Sequence, residues 1–305
     1  MDRFDAMLAF VRVVDTGSFT KAAETLHLGR ATVTQLVQQL EARLRVKLLH
    51  RTTRRVQATP DGLAYYARAV RLLADLDDAE TSLSAATAAP RGRLRVEAPS
   101  PLARLLLIPA LPAFHAQYPE IQLDLGVSDR RVDMVSDSVD CVVRAGAITD
   151  PSLVARHVGD LPLRMYAAPG YLQRAGVPTH PEALQSSQHH IVGFFWERNG
   201  RTAPYALRRG SERVPVQGRY LCAVDDGNAY LAAGLAGLGA LCLPDYMATP
   251  HAATGELVPL FEDWLLEPMP VYLAYPPNRH VSAKARVFMD WVVELMRTHA
   301  PVQRR

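Results

Sequence analysis

The chain has 305 residues, enough for two domains or three small ones. Hydrophobic residues are 49% and charged residues 21%, ordinary for a soluble globular chain, and 18 Gly with 22 Pro are too scattered for a collagenous or low-complexity protein. The formal net charge of +3 is unevenly spread: residues 1–60 hold ten Lys/Arg against five Asp/Glu, on an otherwise slightly acidic body. A basic front module suggests an anionic polymer as partner. Asp2 and Asp5 stand where a secretory leader would carry basic residues, and Asp15 stops any long apolar run, so no signal peptide is expected. The eighteen uncharged residues Gly227–Pro244 match a membrane span in length, but four glycines and a terminal proline favour helix, turn and strand in a core. Cys141, Cys222 and Cys242 are too few for a disulfide scaffold and lack metal-ligand spacing. They read as buried thiols of a cytosolic protein, a redox pair of Cys222 with Cys242 being the alternative.

Phe4, Met7, Leu8, Val11 and Val14 recur at helical spacing, so 2–15 is an amphipathic helix. Thr16-Gly17 breaks it, and Ser18 can cap a second helix over 18–26 through its hydroxyl. His27-Leu28-Gly29 turns the chain into a third helix from Arg30 to Leu44, with Gly29 at its N-cap. Val33, Leu36, Val37, Leu40 and Leu44 form its inner face. Arg30, Thr32, Thr34, Gln35, Gln38 and Gln39 form its outer face.

Helix, short turn, helix is a helix-turn-helix pattern. The outer face carries the chemistry of base edges: Arg for guanine, Gln for adenine, Thr with a hydroxyl and a methyl. An ordinary solvated face would look the same. The next segment decides, because Arg43–Arg55 holds six cations and no acid. A basic run beside such a helix suits phosphate neutralisation and a minor-groove arm on double-stranded DNA.

The stretch Leu8–Gly62 resembles the winged helix-turn-helix of LysR-type transcriptional regulators. The resemblance rests on Phe10, Gly17-Ser18-Phe19, Ala22-Ala23, Leu26, Ala31-Thr32-Val33-Thr34, Leu40-Glu41, Leu44, Leu48-Leu49, Arg51, Arg54, Thr59 and Gly62 together. It implies that Arg30, Ala31, Thr34 and Gln35 meet bases and phosphates, and that Arg51 and Arg54 sit in the wing, Arg54 in a minor groove. Two positions depart from the family pattern. Gly29-Arg30 replaces a frequent Ser-Gln, and Arg45 stands where Gly is usual. A left-handed backbone at Arg45 would cost about 1 kcal/mol; either the helix runs on or the wing tilts.

Pro60 suits the first turn of a long helix. Tyr65, Ala69, Leu72, Leu76, Ala79, Leu83 and Ala86 then recur at alternating spacings of four and three, a short coiled-coil seam. The alternative is a helix lying on its own domain; the resemblance favours a dimerising linker over 61–89. Ala85–Arg93 reads as a hinge. Beyond it come a strand at 93–98, a helical stretch at 102–118 kinked or restarted at Pro109, a strand at 121–127, a short helix at 132–136 and a strand at 139–144. A second unit starts at 162–168, with strands near 190–194, 219–224 and 240–243, a helix at 226–236, a strand at 270–275 and a closing helix at 281–299. Alternating strands and helices imply α/β folding with a mostly parallel sheet.

This order resembles the family's effector domain, itself similar to type II periplasmic binding proteins. The resemblance implies domains at 1–60, 61–89 and 90–305. The last divides into lobe I (93–161 and 270–300) and lobe II (162–269), crossing over near 161–165 and 266–270.

In open α/β sheets, ligands bind beyond the carboxyl ends of strands. Ser100 with Pro101, Ser128, and Arg144 with Gly146 lie there in lobe I, and Phe194 and Asp225–Asn228 face them from lobe II. Ser100 can cap the following helix, whose amides favour an anion, and Arg144 offers a planar fork. A small organic acid is the expected effector; if the two aspartates dominate, the ligand is neutral or cationic. Asp225-Asp226-Gly227-Asn228 can instead simply supply the N-cap of the 226–236 helix, and Arg144 can serve a salt bridge.

Gly234, Gly237 and Gly239 follow a helix, so they read as a helix end and close packing rather than a phosphate loop. His189-His190 lacks metal-site spacing, no nucleophile-elbow motif occurs, and Trp196, Trp264 and Trp291 read as packing residues. The chain is thus expected to be a cytoplasmic regulator, not an enzyme, without metal or cofactor, forming a homodimer or homotetramer, and meeting RNA polymerase if it activates. A solute-binding protein or an enzyme on a related two-lobed fold is the competing class.

Overall fold

The computed structural model describes residues 3–51, 56–83, 89–130, 139–148, 153–195, 205–277 and 281–299. The chain divides into two units, 1–88 and 89–305.

The first unit opens with α1 (Arg3–Thr16), α2 (Phe19–Thr25) and α3 (Arg30–Leu44). Phe10, Val13, Ala22, Val33 and Val37 are fully buried where the three meet. Ser18 caps α2 by accepting from the Lys21 N–H, and His27 adopts a left-handed φ of 53° in the turn before Gly29, the N-cap of α3. Helix α3 ends on Arg45, whose φ of 55° is also left-handed. The strain anticipated there is therefore present, and the helix stops rather than running on.

The wing is β1 (Leu49–Arg51) paired antiparallel with β2 (Val56–Ala58). Buried Glu41 ties its root to α3, accepting from the Leu48 and Leu49 N–H groups at 2.9 and 3.2 Å and from Lys47 Nζ at 3.3 Å. Thr59 then starts α4 (Pro60–Leu83): its hydroxyl donates to the Lys47 carbonyl at 2.7 Å and accepts from the Gly62 N–H at 2.9 Å. A Cβ at Gly62 would lie 2.0 Å from the Leu48 carbonyl oxygen, so only glycine fits this crossing.

The seam divides in two. Ala69 is fully buried, and Tyr65, Tyr66, Val70 and Leu73 pack on the core of the same unit, as a helix lying on its own domain does. Leu72, by contrast, is 51% exposed. The hinge residues 84–88 and seam residue Ala86 lie outside the described residues.

The second unit starts with β3 (Gly92–Ala98), α5 (Ser100–Leu102), a π-helical segment Ala103–Leu107 and α6 (Ile108–Gln117). Pro109 sits in the first turn of α6, as a restart there requires, and the π segment absorbs the irregularity. Next come β4 (Ile121–Val127), β5 (Cys141–Ala145), β6 (Val154–Leu161), β7 (Leu163–Ala167), α7 (Pro169–Ala175) and β8 (His190–Phe194). These are followed by β9 (Ala206–Arg209), β10 (Glu212–Pro215), β11 (Arg219–Val224), α8 (Gly227–Leu235) and β12 (Leu241–Pro244). Finally come α9 (Asp245–Ala253), β13 (Val258–Leu260), β14 (Leu265–Leu266), β15 (Met269–Tyr275) and α10 (Ala283–His299). The short helix expected at 132–136 and Trp196 lie outside the described residues.

One lobe is built on the sheet β4-β3-β5-β15-β6, with Phe114 of α6 and Phe288 of α10 in edge contact over it, 5.7 Å between centroids. The other lobe holds the sheets β12-β7-β13, β11-β8 and β10-β9-β14. The chain passes between the lobes at Pro162 and again between β14 and β15. The expectation of a mostly parallel sheet is corrected: only β3 with β4, β3 with β5, and β8 with β11 pair in parallel among the named strands. Returning strand β15 runs antiparallel to both neighbours because it re-enters from the second lobe.

Gly227–Pro244 forms α8 and β12, and no helix among the described residues is long and apolar enough to cross a membrane. A Cβ at Gly239 would lie 2.7 Å from the His190 carbonyl oxygen, the close packing expected of that glycine cluster. His189 is buried against the Tyr171 hydroxyl at 3.2 Å, and Trp264 carries Arg209 over its ring at 4.5 Å.

Candidate DNA-reading face and ligand cleft

On α3, Arg30, Ala31, Gln35 and Gln38 are exposed, whereas Thr32 and Thr34 are half-buried. The Thr34 hydroxyl donates to the Arg30 carbonyl at 2.9 Å. Gly29 supplies no side-chain cap, so the first amides of α3 stay open to a phosphate oxygen. Arg51 ends β1 beside the turn of the wing; its side chain and Arg54 lie outside the described residues.

The second unit's residues meet at an interlobe joint. Asp129 follows β4, and its carboxylate accepts from two backbone amides, Ser100 at 2.9 Å and Gly227 at 2.6 Å. These amides open α5 in one lobe and α8 in the other. Asn228 donates to Ser100 Oγ at 2.7 Å, Arg104 donates to Asn228 Oδ1 at 3.3 Å, and Arg130 pairs with Asp225 at 2.8 Å. A Cβ at Gly227 would stand 2.4 Å from Pro101 Cγ, so glycine lets the lobes close this far.

Two sequence expectations change here. Ser100 is not the helix cap; Pro99 holds that position, and Ser100 is the first residue of the helix. The Ser100 amide at the helix start, read as a seat for a bound anion, is occupied by the chain's own Asp129 carboxylate. Burial pushes the Asp129 carboxyl up, the Gly227 and Ser100 amides oppose this, and nearby Asp226 and Asp225 add to it. Asp226 does cap α8, accepting from the Ala229 N–H at 2.8 Å.

Beside the joint lies a cavity of about 80 Å³. Pro101, Asp129 and Arg144 line it from one lobe; Phe194, Tyr205, Tyr230 and Tyr246 line it from the other. Arg144 donates to the Arg130 carbonyl at 2.9 Å, and Phe194 meets the Tyr230 ring edge-on at 5.3 Å. Ser128 holds the Arg130 N–H at 3.1 Å, Gly146 turns at φ 90° and donates to the Pro270 carbonyl, and Asp225 serves Arg130; none of these three forms the cavity wall. Asp129 and the three tyrosines were not singled out from sequence. Asp129 is bonded to a residue 98 positions away, which no local pattern announces, though a Ser-Asp pair just past a strand end is a usable cue. Cys242 also lines the cavity; it is free and buried, and burial pushes its thiol up, away from reactive thiolate.

A helix-turn-helix with an exposed polar recognition face, joined to a two-lobed unit enclosing a small cavity, defines a ligand-responsive DNA-binding regulator. Comparison with known proteins agrees. Residues 4–63 match the bacterial regulatory helix-turn-helix protein, lysR family, and residues 87–297 match the LysR substrate binding domain. The chain belongs to the LysR family of transcriptional regulators. It is 39% identical over 303 residues to an HTH-type transcriptional repressor of Pseudomonas aeruginosa (strain UCBPP-PA14), covering 99% of this chain and 95% of that one. It is 33% identical over 291 residues to the HTH-type transcriptional regulator CrgA of Neisseria meningitidis serogroup C, covering 95% of this chain and 96% of that protein. The structure of CrgA from Neisseria meningitidis superposes with a TM-score of 0.59 at 33% identity, covering 95% of this chain and 97% of that one. The full-length Vibrio cholerae virulence activator AphB superposes with a TM-score of 0.59 at 29% identity, covering 96% and 99%. These relatives are transcriptional regulators, not enzymes.

Proposed function

We propose that residues 1–60 read an operator in double-stranded DNA. Arg30, Ala31, Thr32, Thr34, Gln35 and Gln38 enter the major groove, and Arg51 and Arg54 follow the backbone into a minor groove. The exposed polar edge of α3, with its uncapped first turn, is the observation that carries this reading. Residues 61–89 join two copies of the chain through the exposed side of α4, giving a homodimer or a dimer of dimers in the cytoplasm. Residues 90–305 bind a small-molecule effector between the lobes, at the cavity bordered by Pro101, Arg144 and Phe194, with the Ser100, Ser128, Gly146 and Asp225–Asp226 segments forming its frame. As an activator the chain would also contact RNA polymerase. A gel-shift titration with the DNA upstream of its own gene tests the reading: it expects retention at concentrations at least a hundredfold below those needed for random DNA. Equal affinity for both would overturn it.

A further inference from the structure

The cavity wall has a chemistry that selects its occupant. Most of it is carbon, with Pro101, Leu161, Phe194 and Met247 around the space. At about 10–15 Å³ for each water-sized group, 80 Å³ accommodates about five to eight non-hydrogen atoms, the size of one small ring with a substituent.

Three phenols reach this wall. The Tyr230 hydroxyl is engaged, accepting from the Cys242 N–H at 3.1 Å. The Tyr205 and Tyr246 hydroxyls have no hydrogen-bond partner among the described residues. Burial holds the Tyr205 phenol well above its ordinary pKa and pushes Tyr246 up too, the Asp129 charge adding to the second. Both therefore stay protonated and present an O–H donor. Both residues are half-buried against a wall that is mostly carbon, so a ligand acceptor placed there can take a hydrogen bond from each O–H.

Charge points the same way. Among the described residues the wall carries one carboxylate, Asp129, satisfied by two amides, and one guanidinium, Arg144, which donates to the Arg130 carbonyl. The two opposite charges offset one another, so the wall has no net charge to favour an anion or a cation.

We propose that the effector is an uncharged compound of about one ring, with an apolar body and a carbonyl-type oxygen that accepts from the Tyr205 and Tyr246 hydroxyls. This rests on the reading of the interlobe cavity as the effector site, and it takes the neutral branch left open by the sequence in place of the organic acid.

The test is calorimetric titration of the full chain with four probes of similar size: cyclohexanone, toluene, benzoate and benzylammonium. Cyclohexanone is expected to bind about tenfold tighter than each of the others. Tyr205→Phe and Tyr246→Phe should each weaken it about three- to tenfold while leaving toluene unchanged, as loss of one hydrogen bond requires. Met247→Trp, which fills the cavity, should abolish binding of both. If benzoate binds as tightly as cyclohexanone and loses affinity in Arg144→Ala, the ligand class is overturned and the cleft reading stands. If no probe binds, or binding ignores Met247→Trp, the cleft reading itself falls and this inference with it.

Discussion

The Asp129 carboxylate accepts the Gly227 N–H at 2.6 Å, joining the loop after β4 of one lobe to the first residue of α8 in the other. Its second oxygen takes the Ser100 amide, so one side chain terminates two helices that belong to different lobes. Asp129→Asn leaves an NH₂ group facing a backbone N–H, a donor against a donor. The expected cost is about 1–3 kcal/mol. Thermal unfolding of the full chain should shift down, and the Gly227 and Ser100 amides should exchange faster. Unchanged exchange at Gly227 would show that the bridge does not hold the lobes.

Arg45 sits at φ 55° immediately after α3. Arg45→Gly removes about 1 kcal/mol of left-handed strain. Urea unfolding should therefore move to higher midpoint, while one cation is lost beside the recognition helix. Stability rising as nonspecific DNA affinity falls is the expected pair of results; a fall in both would mean that the Arg45 side chain packs.

Burial opposes the charge on Glu41, but the Leu49 and Leu48 amides and Lys47 outweigh it and hold its carboxyl below the usual carboxylate range. A depressed folded-state pKa adds stability that is present above the unfolded value of about 4.3 and is lost as pH falls through the folded value. Glu41→Gln should cost about 1.5–3 kcal/mol at neutral pH. The gap between the two proteins should close as pH drops below about 4. A gap independent of pH would assign the loss to packing rather than charge.

On DNA, Gln35→Ala and Thr34→Ala should each reduce discrimination between operator and random sequence by about 1–3 kcal/mol. Arg54→Ala should weaken all sequences alike and flatten the log K against log salt line by about one unit. Fluorescence anisotropy across a salt series separates the two behaviours.

The two sides of α4 should respond differently. Ala69→Lys places a charge in the core of the first unit and should unfold it. Leu72→Lys, on the exposed side, should leave folding intact but lower the mass seen by light scattering. Native mass together with full operator affinity in Leu72→Lys would remove α4 from the oligomer contact.

Periodic apolar residues made α1, α3 and α10 legible, because each buries one stripe against a single core. Ser18 and Gly29 were legible as caps, since capping is local chemistry, and the Asp225–Asn228 segment was legible as a helix start, within which Asp226 is the cap. Helix α9 was not, because Pro250 interrupts it and its two buried residues, Met247 and Ala248, set no period. Strand β6 escaped as well: its first four residues are exposed, and only the last four are buried. The strand-end rule brought Pro101, Arg144 and Phe194 to the cavity but could not supply Tyr205 and Tyr246, which arrive from a strand entry and from the unrecognised helix α9. The 4-3 spacing of α4 was real, yet spacing does not say which surface covers a stripe, and here the first turns meet their own core.

The crossing of Gly62 over the Leu48 carbonyl, with Thr59 bonded to Lys47 and Gly62, leaves no slack between the wing and the helix that follows it. The root of β1 and the first turn of α4 are clamped in one solid piece. Glu41 extends that piece to the end of α3. Any roll imposed on α4 from farther along its length is therefore delivered to the wing and the recognition helix without backlash. In a dimer joined through α4, such a gearing would change how the two copies straddle their half-sites while leaving each reading face unaltered.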